Sequence, residues 1–586
     1  MRLLRQLIAT TLLLSSTTLL AHSNQHIAHP NQKQMLNDLD FIHHLFHISY
    51  APFQWKIDQF QWDLESETNA AKHSVLNNFP FTVKAFQNTI KKLCHTTKDY
   101  HVLPQFYSTA WASLPIRIQS AEGRYFVSEI EPNETGSLEY FPLSIGDEIL
   151  TFNGEPIHEL IEEFIEEEIG RNYIGTDQAL AEFYLIHRDG SQGHDVPKGT
   201  VEITFRKPFS KKTRRTSLKW DYHPELVTNN QPKSLSKSLY QNIQQPTRRN
   251  NDFLQKPFIT PHYRITKDAS SLSSDSNEPT EMLGAKRGPL PYLGTVLWES
   301  DNETDFHAYL FLINGTEIGG YIRIPSFYTE DGDVSAFQFA EIIELFESTS
   351  SVLVIDQTNN GGGLVLYLYA LIAMLTDSPL EVPQHRVMLT QEDIYFAAKS
   401  SDRLQSITSD RSARKLLGET IEGLVVNLNL IKCLLASHQF AIDQWNEGKR
   451  FTDYSYMYGI NKIQPHPDIH YTKPILILTN HLDFSAADFF PAIMQDNKRA
   501  TIMGSRTAGA GGYIEKVSFP NLSGIKQLDL TASFSIRPNG MPIENFGVTP
   551  DIPYEITSED LQNDYVEYKQ KIIQQLTSMI SEHEEE

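Results

Sequence analysis

The sequence predicts an α/β protein, α+β overall, in which a helical N-terminal region and a β-rich segment precede a layered α/β domain. Three observations predict it. Apolar residues in roughly the first hundred positions recur at helical spacing, short apolar strands take over after Leu114, and three strand–turn–helix units lie beyond Leu293. The 586 residues suffice for three or four structural units. With 40% hydrophobic and 21% charged residues, the chain has a globular composition and is not globally disordered. Its 50 Lys plus Arg against 73 Asp plus Glu give a net charge of −23, which argues against a nucleic-acid partner. Two cysteines, Cys94 and Cys433, leave no disulfide scaffold and no Cys-rich zinc site, and no cofactor or metal is expected.

The elements follow in order. Residues 1–23 combine basic Arg2 and Arg5, an apolar stretch from Leu7 to Leu20, and the small residues Ala21 and Ser23. That pattern fits a cleaved signal peptide; a membrane anchor needs about 20 apolar residues, more than this stretch supplies. Residues 24–113 read as helical, with Leu36, Leu39, Ile42 and Leu45 on one face and a second run from Phe81 to Leu93. Residues 114–224 read as strands at Ile116–Ile118 and Tyr125–Val127, then a Gly146-Asp147 turn, a strand to Phe152 and an Asn153-Gly154 hairpin turn. A helix follows at Ile157, Leu160, Ile161, Phe164 and Ile165, with the glutamates between 162 and 168 as its solvated face. Residues 225–290 are rich in Ser, Asn, Gln, Pro and Lys and lack periodicity, which makes them a linker or removable insert. In 291–555, Ser351–Asp356, Pro474–Thr479 and Ala500–Met503 read as buried strands, each running into a turn. Residues 556–586 read as a terminal helix with a frayed acidic tail.

Ser485 stands directly after a strand and at the start of a helix, where unpaired amides and the helix macrodipole favour developing negative charge. A hydroxyl there can attack a carbonyl and find an oxyanion donor in the Ala486 N–H, with a second from the Gly361–Gly363 loop, Gly362 above all. The bland alternative is that Ser485 caps the helix. Histidine suits the base, its ordinary pKa lying near neutrality. Among 21 histidines, His101 stands out after the 81–93 helix, while His466, His470 and His481 lie closer in sequence; spacing does not choose. Cys94 beside His95 is a poor nucleophile–base pair, since adjacent helical residues do not face each other.

The Gly146-Asp-Glu-Ile-Leu-Thr-Phe-Asn-Gly154 stretch resembles a PDZ domain, which implies peptide binding by strand addition. The run from Ser485 through Gln495-Asp-Asn-Lys-Arg-Ala500 to Gly504-Ser-Arg-Thr-Ala-Gly-Ala-Gly511, with Asp356-Gln-Thr-Asn-Asn-Gly-Gly-Gly363 upstream, resembles the tail-specific proteases and implies their crotonase-like layered fold. Their catalytic lysine falls on Ala510, which accepts no proton; Lys516 is the nearest substitute in sequence. Asp99-Tyr-His101, Asp483-Phe-Ser485 and Ile543-Glu-Asn545 resemble the chlamydial protease-like activity factor family over the whole chain. That resemblance implies Ser485 as nucleophile, His101 as base and Glu544 as the acid that orients it. It departs after the histidine, where Val102-Leu103 replaces small residues.

The resemblance further implies a serine endopeptidase acting on proteins of a host cell, released there, homodimeric, and made as a zymogen whose internal segment blocks the active site and is cut by the enzyme itself. The polar stretch 225–290 is where that segment is expected, since a protease threads flexible backbone. No nucleic acid and no stable membrane anchor are expected. The loss of the lysine leaves one competing expectation, a non-catalytic PDZ-like peptide-binding scaffold on a protease-derived fold.

Overall fold

The computed structural model describes residues 30–77, 81–130, 141–226, 257–259 and 283–585. The expected signal peptide and most of the 225–290 segment therefore lie outside the described residues.

Four helices open the described residues: α1 (Pro30–Ser49), α2 (Phe53–Phe60), α3 (Leu64–Asn77) and α4 (Val83–His95). Thr82 caps α4, its hydroxyl accepting the Ala85 N–H at 3.1 Å. The helical expectation stops there, because β1 (Leu103–Phe106) is a strand with all four residues buried. The next unit is an antiparallel sheet in strand order β2 (Ile116–Ala121), β3 (Arg124–Ile130), β4 (Glu148–Phe152), β5 (Thr200–Arg206), β6 (Thr213–Lys219). Helices α5 (Ile157–Phe164) and α6 (Ile174–Ile186) pack on it. Asn153 and Gly154 turn with φ of 50° and 86°, the left-handed geometry that their side chains permit.

A three-residue strand, β7 (Pro257–Ile259), precedes the largest sheet. That sheet runs in the order β8 (Thr295–Glu299), β9 (His307–Ile313), β10 (Glu317–Arg323), β11 (Val352–Asp356), β13 (Ile475–Thr479), β14 (Thr501–Gly504), β17 (Ile552–Pro553). From β10 onward it is parallel. Strands β11 and β13 are buried at every residue, which is why they read as unbroken apolar runs. One face is covered by α7 (Gly332–Thr349), the wholly apolar α8 (Val365–Ala373) and α9 (Ala486–Asp496). The other is covered by α10 (Val566–Glu585), through Tyr568, Ile572, Leu576, Met579 and Ile580. Each such side chain is worth roughly 1.5–3 kcal/mol on burial, so this helix is structural, and it continues to Glu585 where a frayed tail was expected.

Two connections bring distant segments together. Strand β1 pairs antiparallel with β16 (Ile525–Thr531), itself paired with β15 (Ile514–Val517), with Leu103 opposite Asp529. This stitches the N-terminal helices to the far end of the chain. Strand β12 (Gly362–Leu364) follows β11 and pairs with β7, Phe258 opposite Gly363.

Candidate active site

Ser485 is fully buried between β13 and α9 and takes φ 60°, ψ −115°. A side chain at positive φ costs on the order of 1–3 kcal/mol and persists only when its surroundings enforce it. Asp488 does so. Its Oδ2 accepts the Ser485 N–H at 2.8 Å and the Ala510 N–H at 3.0 Å, while Oδ1 accepts the Gly509 N–H at 2.9 Å and the Thr507 hydroxyl at 2.5 Å. Burial raises this carboxyl to about 6, which those four bonds oppose. Asp483 fixes the other side of the turn, accepting from the Asn480 and Asn360 amides and from Gln357 Nε2. The Ser485 hydroxyl itself has no hydrogen-bond partner among the described residues. Capping does not occupy it: the Ala487 and Asp488 amides bond the carbonyls of Phe484 and Ser485. A strained strand-to-helix turn carrying an unspent hydroxyl is the backbone geometry of a nucleophile elbow, though here the hydroxyl is buried.

His101 precedes β1 and is also fully buried, with both ring nitrogens unpartnered among the described residues. Its neighbour Tyr100 packs edge-on against Phe484, the neighbour of Ser485, with ring centroids 5.7 Å apart. The two candidate residues are thus each one position from a shared contact, yet no hydrogen bond joins them. Asp99 Oδ1 accepts the His101 N–H at 2.9 Å, and its Oδ2 accepts the Tyr50 hydroxyl at 2.9 Å and the Thr531 hydroxyl at 2.8 Å. Burial lowers the imidazole to about 4, Asp99 opposing this and Lys56 adding to it. The ring is therefore neutral, the form a base requires.

Glu544 is buried in the turn that follows the strand Ser533–Ile536, where its Oε2 accepts the Gly511 N–H at 3.1 Å. Its Oε1 accepts from Lys56 Nζ at 2.5 Å, and that ammonium, not the imidazole, is its ionic partner. The next residue, Asn545, receives Trp55 Nε1 at 3.1 Å and Lys56 Nζ at 2.7 Å. Sequence reasoning missed Lys56. A signal existed, since it sits on the apolar face of α2 with Phe53, Ile57 and Phe60 at helical spacing.

The candidate oxyanion donors fare differently. Ala486 opens α9, one residue before the first amide spent within the turn. The Gly362 N–H is already donated to Asn360 Oδ1 at 2.8 Å, so it reaches an oxyanion only after Asn360 turns away. The loop does lie against the serine turn: the Phe484 N–H donates to Asn360 O at 2.9 Å. Gly363 lets the same loop pack against the Phe327–Tyr328 backbone, because a Cβ there would stand 1.9 Å from the Phe327 carbonyl carbon.

The rivals are engaged elsewhere. His466 Nδ1 accepts the amides of Asp468 and Ile469, and His481 bonds Arg506 O and Glu555. Lys516 is exposed on β15, opposite Asp529, whereas Ser485 is buried. Burial pushes the Cys94 thiol far up, so no thiolate forms there.

Fold and site define a serine-type peptidase with a PDZ domain, and comparison with known proteins agrees. Residues 319–554 match peptidase family S41 and residues 110–229 match the PDZ domain. A Chlamydia trachomatis protein is 34% identical over 579 residues, covering 94% of this chain and 93% of that one. The crystal structure of mature CPAF, 32% identical, superposes with a TM-score of 0.78 over 94% of this chain and 98% of the other. The structure of mature CPAF complexed with lactacystin, 33% identical, gives 0.78 over 94% and 99%. The chain belongs to the chlamydial protease-like activity factor family of S41-type serine peptidases. The non-catalytic scaffold suggested by Ala510 is set aside by this membership.

Proposed function

We propose that the protein is an exported endopeptidase that cleaves host proteins by acyl transfer through Ser485, His101 and Glu544. The observation that carries this reading is the Ser485 hydroxyl, buried, without a hydrogen-bond partner among the described residues and held at positive φ, one residue from the Phe484–Tyr100 contact that adjoins His101. In the reaction, Ser485 Oγ attacks the scissile carbonyl as His101 takes its proton, and Glu544 stabilises the imidazolium. Ala486 N–H and an amide of the Gly361–Gly363 loop receive the oxyanion. His101 then returns the proton to the leaving amine, and water repeats the sequence on the acyl-enzyme. The lysine lost at position 510 is replaced in this scheme by a histidine from the other end of the chain.

The precursor reading draws support from β7. Residues 257–259 of the polar segment lie antiparallel on Gly362–Leu364, beside the candidate oxyanion loop, as a substrate strand added to an open edge would lie. Self-cleavage within 225–290 would free that edge, and the homodimer is taken to form afterwards. The domain boundaries 114–224 and 291–555 follow the same scheme. Among the described residues no helix is long and apolar enough to cross a membrane.

Casein hydrolysis by the purified protein tests the reading. His101→Ala should abolish it and Lys516→Ala should spare it; the reverse pattern would assign a lysine-type dyad. The pH profile carries a sign. Burial raises the Glu544 carboxyl to about 7, Asp99 adding to the rise and Lys56 opposing it. As pH falls through that value the carboxylate takes up a proton and ceases to stabilise imidazolium, before the imidazole itself titrates nearer 4. Hydrolysis should therefore drop by roughly 10–100-fold between pH 8 and pH 5. A flat profile across that range contradicts the assignment.

A further inference from the structure

Lys56 is fully buried, 0% exposed, on a helix that has no part in the three-residue cluster. Its ammonium makes three hydrogen bonds: to Lys98 O at 2.9 Å, Glu544 Oε1 at 2.5 Å and Asn545 Oδ1 at 2.7 Å. An ammonium has three protons, so all are spent and no lone pair is left for a base. A lysine seldom goes into an interior unless its charge is matched there. Here the match is the carboxylate that the acyl-transfer scheme assigns to His101, whose two ring nitrogens meanwhile have no partner among the described residues.

We propose that Lys56 is a positioning residue of the catalytic cluster: its ammonium holds the buried Glu544 carboxylate through Oε1, favours its charged form and sets how that carboxylate is presented to His101. The proposal rests on the Ser485–His101–Glu544 reading and deepens it.

The surrounding charges give the mechanism its direction. The segment before β1 contributes Asp99 and the Lys98 carbonyl, while the Lys98 ammonium lies over the Phe60 ring at 4.9 Å. The turn after the strand Ser533–Ile536 contributes Glu544 and Asn545, the end of α1 contributes the Tyr50 phenol on Asp99, and β16 contributes the Thr531 hydroxyl. Lys56 is thus the cation facing two buried carboxylates and a neutral imidazole. With it, the cluster reaches neutrality when His101 takes the serine proton. Without it, Glu544 is a buried acid beside Asp99 and is neutralised by a proton from water, losing its hold on imidazolium. Since Oε2 is held by Gly511, Oε1 is the oxygen that Lys56 and His101 must share or exchange.

The test is the pH profile of casein hydrolysis by full-length wild type, Lys56→Met, Lys56→Gln and Lys56→Arg. Lys56→Met should lose at least 10-fold in kcat at pH 7, leave KM within about 2-fold, and move the acid limb up by one pH unit or more. Lys56→Arg keeps the charge and should return the limb to the wild-type pH. Should Lys56→Met fail to fold, Lys56→Gln, which keeps a donor and removes only the charge, must show the same displacement. A loss of activity with the acid limb unmoved in the folded charge-removing variant overturns the proposal and leaves the triad standing. Wild-type hydrolysis indifferent to His101→Ala overturns both.

Discussion

Replacing Ser485 with alanine should lower casein hydrolysis by roughly 10⁴-fold or more while leaving the protein at least as stable as before. The catalytic half follows from removing the attacking atom. The stability half follows from the same geometry: Ser485 Oγ is buried without a partner, and an unsatisfied buried hydroxyl costs about 1–3 kcal/mol. Alanine removes that cost and opens only the space of one oxygen, so thermal unfolding should occur at the same or a higher temperature. The strained φ of 60° is held by Asp488 through the backbone N–H, which the substitution does not touch. The variant should also remain a single chain until wild-type enzyme is added. Fragmentation of Ser485→Ala by itself would remove the self-processing part of the account.

Arg323→Met should be the most damaging substitution away from the chemistry, costing about 3–5 kcal/mol. Arg323 and Asp356 are 0% and 1% exposed, and Arg323 Nη1 lies 3.1 Å from Asp356 Oδ1. The same guanidinium donates to Ala285 O and Thr358 O, and Asp356 also accepts the Tyr321 hydroxyl at 2.6 Å and the Thr358 amide at 2.9 Å. Removing the cation leaves a carboxylate stranded at the mouth of the loop that carries Asn360 and Gly362. Denaturant unfolding should show the loss, and adding Asp356→Asn in the same chain should recover part of it by removing the stranded charge. Equal stability of Arg323→Met and wild type would mean that water reaches Asp356 in a way this packing does not show.

The layered domain was legible because its chemistry is local. Val352–Asp356 and Ile475–Thr479 are buried on both faces, so their sequences carry no polar alternation to obscure them. The serine turn was legible for a similar reason, the strand, the serine and the helix being contiguous. What sequence spacing did not supply was a choice among the candidate bases. The neighbours of His101 and Ser485 meet in the Tyr100–Phe484 contact, while β1 is held by its pairing with β16, and no local periodicity encodes either. His101 stood out among the histidines by its place after the 81–93 helix, but only the family resemblance chose it, and Glu544 rested on that resemblance alone. Lys56 went unread because a lysine on a helix is normally taken as solvated; its place among Phe53, Ile57 and Phe60 was the available clue. The helical N-terminal region was carried too far, to residue 113, because β1 gains its strand character from a partner more than 400 residues away. Gly362 was chosen for its missing side chain, and its amide turned out to be spent on Asn360.

The measurement closest to the central claim is the rate of covalent labelling by a serine-directed phosphonate, with the modified peptide located by mass spectrometry. The account predicts one label, on Ser485, formed at least about 10³-fold more slowly in His101→Ala and more slowly in Glu544→Ala. Labelling of Ser485 at the wild-type rate in His101→Ala, or labelling of a different residue, would contradict it.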